Sequence, residues 1–225
     1  MTQFLIKNIT KIYGKKTSQF SALKGVSFEI EKGKSVAIIG KSGSGKSTLM
    51  HLLAALDVPT TGEIFFEDKL ISSTVKKIDI NTLRNETFGF VFQQFFLNPR
   101  DTVRKNVELP LKIAGVPFWK RGKMVEEVLK KVDLMDKIDN KASDLSGGQK
   151  QRVCIARALV NNPKVIFADE PTGNLDNATG EQITKLLFEL NKGLGITLII
   201  VTHDDDLANK CEKIIRMQDG LIINS

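Results

Sequence analysis

Hydrophobic residues fall along this chain in two rhythms. Residues 36–39 form an unbroken apolar run that predicts a buried strand, and mainly apolar runs at 165–168, 197–201 and 214–217 read as strands too. Runs at 4–6, 26–30, 62–66 and 88–92 predict further strands, with Gly14, Gly25 and Gly33 punctuating the first of them. The second rhythm is helical. Leu49, Leu52, Leu53 and Leu56 share one face of a helix expected over 47–56, and Ile183, Leu186, Leu187 and Leu190 share a face of another that stops near Gly193. From about Val103 to Leu159 no strand signal appears, and Met124, Val125, Val128, Leu129 and Val132 line up on one helix face. Strands alternating with helices predict a mostly parallel sheet covered on both faces, with a helical segment inserted into it. No internal repeat is visible.

Composition changes this picture little. With 225 residues, 41% hydrophobic and 26% charged, the chain has the makeup of a globular domain. No apolar run approaches the ~20 residues of a membrane helix, and Met1-Thr2-Gln3-Phe4-Leu5 lacks the layout of a signal peptide, so a cytosolic placement is expected. Cys154 and Cys211 sit in helix-like, apolar surroundings and read as reduced, packed thiols. The net charge of +7 is spread over pairs such as Lys15-Lys16, Lys76-Lys77 and Lys130-Lys131, without interleaved aromatics. That pattern predicts a solvated surface, suited to a polyanionic ligand and to anionic lipid headgroups, rather than a nucleic-acid footprint.

The chemistry begins where the strand at 36–39 ends. Gly40-Lys41-Ser42-Gly43-Ser44-Gly45-Lys46-Ser47 matches the Walker A phosphate loop, placed between a strand signal and a helix signal as that motif requires. The glycines let backbone N–H groups turn inward toward phosphate oxygens, and the positive end of the next helix adds to the attraction. Lys46 supplies a point charge to the β- and γ-phosphates, Ser47 a hydroxyl to Mg²⁺, and Thr48 further phosphate contact. Asp169-Glu170 closes the strand at 165–168, where a carboxylate can serve Mg²⁺ directly or through water while Glu170 orients or deprotonates an attacking water. Ser146-Gly147-Gly148-Gln149 reads as a capped helix start with N–H groups open to an anion.

Tyr13, the Walker A run, Gln93, Leu145 to Gln149, Asp169-Glu170, Asp176 and His203 together resemble the ATP-binding cassette (ABC) ATPases over essentially the whole chain. The resemblance implies an α/β fold: a P-loop NTPase core with a mostly parallel sheet, an N-terminal antiparallel β subdomain (about 1–35 and 60–75) and an inserted α-helical subdomain (about 95–158). It implies that Tyr13 stacks on adenine, although a surface aromatic in a hairpin would look the same. Gln93, with Gln94 as the neighbouring alternative, matches the residue that reaches Mg²⁺ and the lytic water. Ser146, Gly147, Gly148 and Gln149 match the signature that closes over ATP held by a second copy. Asp176 matches the residue that communicates between the two sites, and His203 the histidine that hydrogen-bonds the γ-phosphate. His51 reads as a packing or surface residue.

The resemblance therefore implies an ATPase that uses ATP and Mg²⁺, forms an ATP-dependent homodimer and lies on the inner face of the membrane against an integral permease subunit. An extracytoplasmic adaptor is an optional further partner, and nucleic acid is not expected. Residues 56–63, 90–95, 106–111 and 170–176 resemble the branch containing macrolide and antimicrobial-peptide exporters, lipoprotein-release ATPases and the cell-division ABC ATPase. Residues 95–101, expected to meet the permease, depart from the usual pattern of that branch. The stretch from Gln93 to Gln149 is too short for the coiled coil of DNA-repair relatives, and the stretch after His203 too short for the regulatory domain of many sugar importers.

Overall fold

The computed structural model describes residues 1–15, 18–72 and 77–224. Lys16 and Lys76, each half of an expected basic pair, and residues 73–75 of the expected antiparallel part lie outside them. In chain order the elements are β1 (Thr2–Tyr13), β2 (Phe20–Glu31), β3 (Ser35–Ile39), α1 (Lys46–Leu53), β4 (Thr61–Phe66), β5 (Lys69–Leu70) and α2 (Lys77–Thr82). A π-helical turn (Leu83–Thr87), β6 (Phe88–Phe92), α3 (Val103–Ile113), α4 (Phe118–Lys131), α5 (Gly147–Leu159) and β7 (Val165–Asp169) follow. The chain closes with α6 (Asn177–Leu194), β8 (Thr197–Thr202), α7 (Asp205–Ala208), β9 (Lys213–Gln218) and β10 (Leu221–Asn224). It divides into two compact units, residues 1–81 with 197–225, and residues 82–196.

The first unit holds an antiparallel sheet in the order β2-β1-β4-β5. It also holds a mainly parallel set in which β3 pairs with β8 on one side and β9 on the other, β10 closing the edge antiparallel to β9. Every residue of β3 and β8 is buried, as their continuous apolar runs require. Gly25, expected at a turn, lies instead inside β2 at φ 92°, opposite a register shift at Asn8, where a Cβ would stand 2.8 Å from the Asn8 amide oxygen. Helix α1 ends at Leu53, three residues short of expectation, because Ala55 turns left-handed at φ 52°. Leu49, Leu52 and Leu53 are buried there and Leu56 is exposed.

In the second unit β6 and β7 run parallel, Phe88 opposite Val165 through to Phe92 opposite Asp169. Val125, Val128 and Leu129 of α4 and six apolar residues of α5 are buried, so the expected helical faces form. Helix α6 runs through Gly193 and stops at Gly195, whose φ of 65° supplies the left-handed C-cap. Ile183, Leu186, Leu187 and Leu190 are its buried stripe.

Both cysteines are free thiols. Cys154 lies in α5 and is buried, whereas Cys211 follows α7 in a bend instead of sitting in a helix. Burial pushes the Cys154 thiol up to about 11 and the Cys211 thiol up to about 12. At neutral pH Cys154 is then held as the thiol, with far less thiolate than an ordinary exposed cysteine. Labelling with a thiol-specific disulfide reagent is expected to be slow in the native protein and to reach both thiols promptly in denaturant. Rapid native labelling of Cys154 would contradict its packing.

Candidate functional site

In the first unit, parallel pairing of β3 and β8 sets Ile39 opposite Thr202. The residues that follow, Gly40 and His203, therefore leave neighbouring strands at the same end. A Cβ at Gly40 would stand 2.2 Å from the Met217 carbonyl oxygen and 2.7 Å from Ser44 Oγ, so only glycine admits this loop. At Gly45, with φ 100°, a Cβ would stand 2.6 Å from the Ala22 carbonyl oxygen. The hairpin between β9 and β10 braces the loop from outside: Gly220 N–H donates to the Ser44 carbonyl at 3.1 Å. Lys46 Nζ bends back to donate to the carbonyls of Gly40 (2.8 Å) and Lys41 (3.0 Å).

The start of α1 has no side-chain cap, Gly45 standing in the capping position. Its first N–H groups and its positive dipole end therefore face the loop, an anion-binding arrangement. Ser44 Oγ is buried and lacks a hydrogen-bond partner among the described residues. A buried hydroxyl so placed is costly unless a ligand oxygen completes it, and a phosphate fits that requirement. Lys41, Ser42, Gly43 and Ser47 are exposed along the same loop.

Tyr13 ends β1 with its hydroxyl donated to Asp57 Oδ2 at 2.9 Å and hydrogen-bonded to Thr48, the third residue of α1. Thr48 thus links the tyrosine to the loop helix, a contact beyond the expected phosphate role. Lys11 Nζ sits 4.9 Å from the Tyr13 ring centroid and 2.7 Å from Asp57 Oδ1. Tyr13 as a whole is 39% exposed, with the lysine over one face of its ring. Burial raises the Tyr13 hydroxyl above its ordinary range, the Asp57 hydrogen bond adding to the effect and Thr48 opposing it. Burial alone would raise Asp57 too, but hydrogen bonds from Lys11 and Tyr13 outweigh it and hold the carboxyl below the usual carboxylate range. A lowered carboxyl stabilises the fold above its unfolded pKa and loses that contribution as pH falls through the lower folded value. Asp57→Asn is therefore expected to cost on the order of 1 kcal/mol at pH 7. The gap to the parent should begin to narrow below about pH 4, where the unfolded carboxyl protonates, and close as the folded carboxyl protonates at its lower value, in matched denaturant titrations. A gap that stayed constant down to acid pH would contradict the pairing.

In the second unit, the register of β6 and β7 places Gln93 and Glu170 side by side at the strand ends. Gln93 Nε2 donates to Asn174 Oδ1 at 3.3 Å and Asn174 Nδ2 returns a bond to the Gln93 carbonyl at 2.8 Å. With the amide nitrogen engaged, Oε1 is the end of Gln93 available to a cation. Asp169 is the last residue of β7, and Glu170 follows it at φ 44°, a conformation that costs a non-glycine residue about 1 kcal/mol or more. The turn beyond is held by Gly173 N–H to the Glu170 carbonyl (3.1 Å) and by Gln151 Nε2 to the Pro171 carbonyl (2.7 Å).

Helix α5 opens with the expected cap, extended to a reciprocal box: Ser146 Oγ accepts from Gln149 N–H, and Ser146 N–H donates to Gln149 Oε1. Gly148 has a packing reason as well, since a Cβ there would stand 2.5 Å from Thr179 Cγ2 of α6. Asp176 caps α6, accepting from Thr179 N–H and Thr179 Oγ1, and those bonds hold its carboxyl below the ordinary range. Beyond Gln93 the chain turns outward at Phe96, with Arg157 donating to the carbonyls of Phe95 and Phe96. Phe90, Phe92, Phe96, Leu109 and Arg157 line part of an apolar cleft of about 280 Å³.

Thus one unit gathers Tyr13, the phosphate loop and His203, and the other gathers Gln93, Asp169 and Glu170, with Ser146 to Gln149 packed beside Asp176 through α5 and α6. Lys11, Asp57, Gln151 and Asn174 support these groups and were not singled out by sequence reasoning. Their partners lie tens of residues away, so no local pattern marks them. His51 is half-buried on α1. Ser47 in the first unit offers a hydroxyl oxygen, and Gln93 and Asp169 in the second an amide and a carboxylate oxygen, each a hard donor of the kind Mg²⁺ takes.

Comparison with known proteins identifies the family. The family model for the ABC transporter matches residues 23–173. The macrolide export ATP-binding/permease protein MacB of Bdellovibrio bacteriovorus is 44% identical over 219 residues, 96% of this chain and 33% of that longer protein. The lipoprotein-releasing system ATP-binding protein LolD of Myxococcus xanthus is 43% identical over 220 residues, covering 98% of both chains. A dimeric structure of the ATP-binding cassette MJ0796, in a post-hydrolysis state bound to ADP and Pi, is 42% identical with a TM-score of 0.87, covering 98% of this chain and 97% of that one. The chain belongs to the ABC transporter family as an ATP-hydrolysing cassette, an α/β protein of the P-loop NTPase fold.

Proposed function

We propose that two copies of this chain close around two ATP molecules and drive an integral membrane permease, in the manner of macrolide or antimicrobial-peptide export or mechanotransmission. The observation that carries the reading is the phosphate loop with its unpartnered, buried Ser44 hydroxyl. Gly40 to Thr48 cradle the triphosphate, with Lys46 moving from loop carbonyls to phosphate oxygens, and Tyr13 carries the adenine. Ser47, Gln93 and Asp169 would hold Mg²⁺, which supplies charge neutralisation on the β- and γ-phosphates. Glu170 takes a proton from the water that attacks the γ-phosphorus as its bond to the ADP oxygen breaks. His203 hydrogen-bonds the γ-phosphate.

Ser146 to Gln149 close over the γ-phosphate held by the other copy, and Asp176 couples the two sites. The γ-phosphate contacts both copies, so its loss on hydrolysis reopens the pair. The dimeric cassette structures at 42% identity support this part of the reading. The apolar cleft beside Phe96 and Leu109 receives the permease, which places the chain on the cytoplasmic face of the membrane. An extracytoplasmic adaptor belongs to the export version. Lipoprotein release is the second reading, favoured by the 43% identity to LolD.

Affinity purification of the chain from detergent-solubilised native membranes tests the proposal. An integral membrane subunit is expected to follow it. An adaptor alongside marks export, a lipoprotein marks release, and wall-hydrolase regulators mark a cell-division complex. Recovery of the chain without any membrane subunit, with and without ATP, would contradict the proposal.

A further inference from the structure

The turn between α3 and α4 carries three large apolar side chains that the fold does not use. Ile113, Phe118 and Trp119 are 68%, 76% and 68% exposed, and the two aromatic rings pack edge to face with centroids 5.2 Å apart. Further along α4, Val125, Val128 and Leu129 are buried, so the helix makes its core contacts downstream of this tip. Exposed apolar side chains scattered singly need no explanation, but three within seven residues of one turn do.

The charge around this tip is mainly positive. Residues 109–123 contain Lys112, Lys120, Arg121 and Lys123 and no aspartate or glutamate. Lys112 and Arg121 both reach Glu108, at 3.1 and 3.5 Å, and Arg121 also donates to the Val116 carbonyl. These bonds, with Val116 N–H to the Leu111 carbonyl, fix the turn before anything binds. Among the described residues Lys120 and Lys123 have no ion-pair partner, and both are exposed.

We infer that this tip is a membrane-surface anchor that inserts Ile113, Phe118 and Trp119 among anionic lipid headgroups, with Lys120 and Lys123 on the phosphates. Aromatic side chains flanked by lysines are the pattern that settles at a bilayer interface, and each lysine near an anionic surface strengthens attachment roughly fivefold. Lipid is favoured over an acidic protein segment by shape. Side chains exposed by two-thirds or more project outward and offer a helix no groove, whereas a bilayer surface accepts projecting wedges. Leu109, one turn before Ile113 on α3, lines the cleft assigned to the permease, so a docked permease would hold the tip beside the bilayer. That setting rests on the proposed function; the lipid chemistry does not.

Trp119 is the chain's single tryptophan, so its emission reports on the tip alone. The full chain would be titrated with vesicles of phosphatidylcholine, and of phosphatidylcholine mixed with phosphatidylglycerol, each also prepared with brominated acyl chains. The expected result is a blue shift and bromine quenching with the phosphatidylglycerol vesicles, weakened by salt. Lys120→Gln and Lys123→Gln should each weaken binding roughly fivefold. Phe118→Ser should weaken it about tenfold or more. ATP hydrolysis in solution should be unchanged in all three variants, which also reports that they fold. Unshifted emission with anionic vesicles would overturn the inference, as would vesicle binding that survives the three substitutions. A shift caused by an acidic peptide such as polyglutamate but not by vesicles would overturn it too, making the tip a protein-docking surface. No permease enters the experiment, so lipid binding can fail while the proposed function stands.

Discussion

Glu170→Gln is expected to slow ATP hydrolysis by roughly 10²- to 10⁴-fold, the range for removing a positioned general base, while leaving ATP affinity within a few fold of the parent. The substitution is nearly isosteric, and it leaves untouched the features that aim the side chain. The backbone at residue 170 stays in its left-handed conformation, held by Gly173 N–H on one side and by Gln151 on the Pro171 carbonyl beyond it. Holding a glutamate at φ 44° costs free energy that a helix or strand position would not, and such strain persists where the surroundings over-determine it. A single-turnover assay separates the outcomes, because chemistry slows while nucleotide binding does not. Parental turnover would remove Glu170 from its assigned role. Gln151→Ala should show the milder form of the defect, since it releases the Pro171 carbonyl without removing the carboxylate.

Lys46→Ala carries the second large effect, and it falls on binding. In the structure the Lys46 ammonium bonds the carbonyls of Gly40 and Lys41, on the chord of the phosphate loop. The proposed role has the same ammonium exchange these carbonyls for phosphate oxygens when ATP is present. Charge-assisted bonds to phosphate are worth about twice neutral ones, and more than one is lost. ATP affinity is expected to fall about 100-fold, which corresponds to about 2.7 kcal/mol. Isothermal titration with ATP would measure it. Thermal stability without nucleotide should change little, because the loop geometry is set chiefly by Gly40, Gly45 and the Gly220 brace. An ATP affinity equal to the parent's would contradict the role of the loop.

Much of this architecture was legible in the sequence because burial leaves a direct trace there. The apolar runs of β3, β7 and β8 have the length and bounding turns of interior strands, and the glycine loop follows the first of them immediately. The departures have local physical causes. Helix α1 stops before Leu56 even though Ala54 and Ala55 favour helix, because Leu56 N–H closes back on the His51 carbonyl and the chain must deliver Asp57 to Lys11 and Tyr13. Helix α6 passes through Gly193, which meets no neighbour, and halts at Gly195, where the left-handed conformation is required. Strand β10 escaped notice although Asp219-Gly220, both at positive φ, is a hairpin signal that could have revealed it.

At the site, the residues with motif spacing were visible and their supports were not. Asn174 clasps Gln93 from 81 positions away, and Lys11 reaches Asp57 across 46. The second reason for Gly148, its closeness to Thr179 of α6, is likewise a property of packing that no local pattern encodes.

The central claim is that each ATP is held from both sides, by the phosphate loop of one copy and the Ser146 helix start of the other. The most direct measurement is the mass in solution of the Glu170→Gln chain, by light scattering behind size exclusion, with saturating ATP and Mg²⁺. The account predicts a dimer that returns to monomer when Ser146→Arg is added, because the capped helix start then meets the opposing nucleotide with a bulky side chain. A Glu170→Gln chain that stays monomeric with ATP bound, both alone and within its membrane assembly, would contradict it.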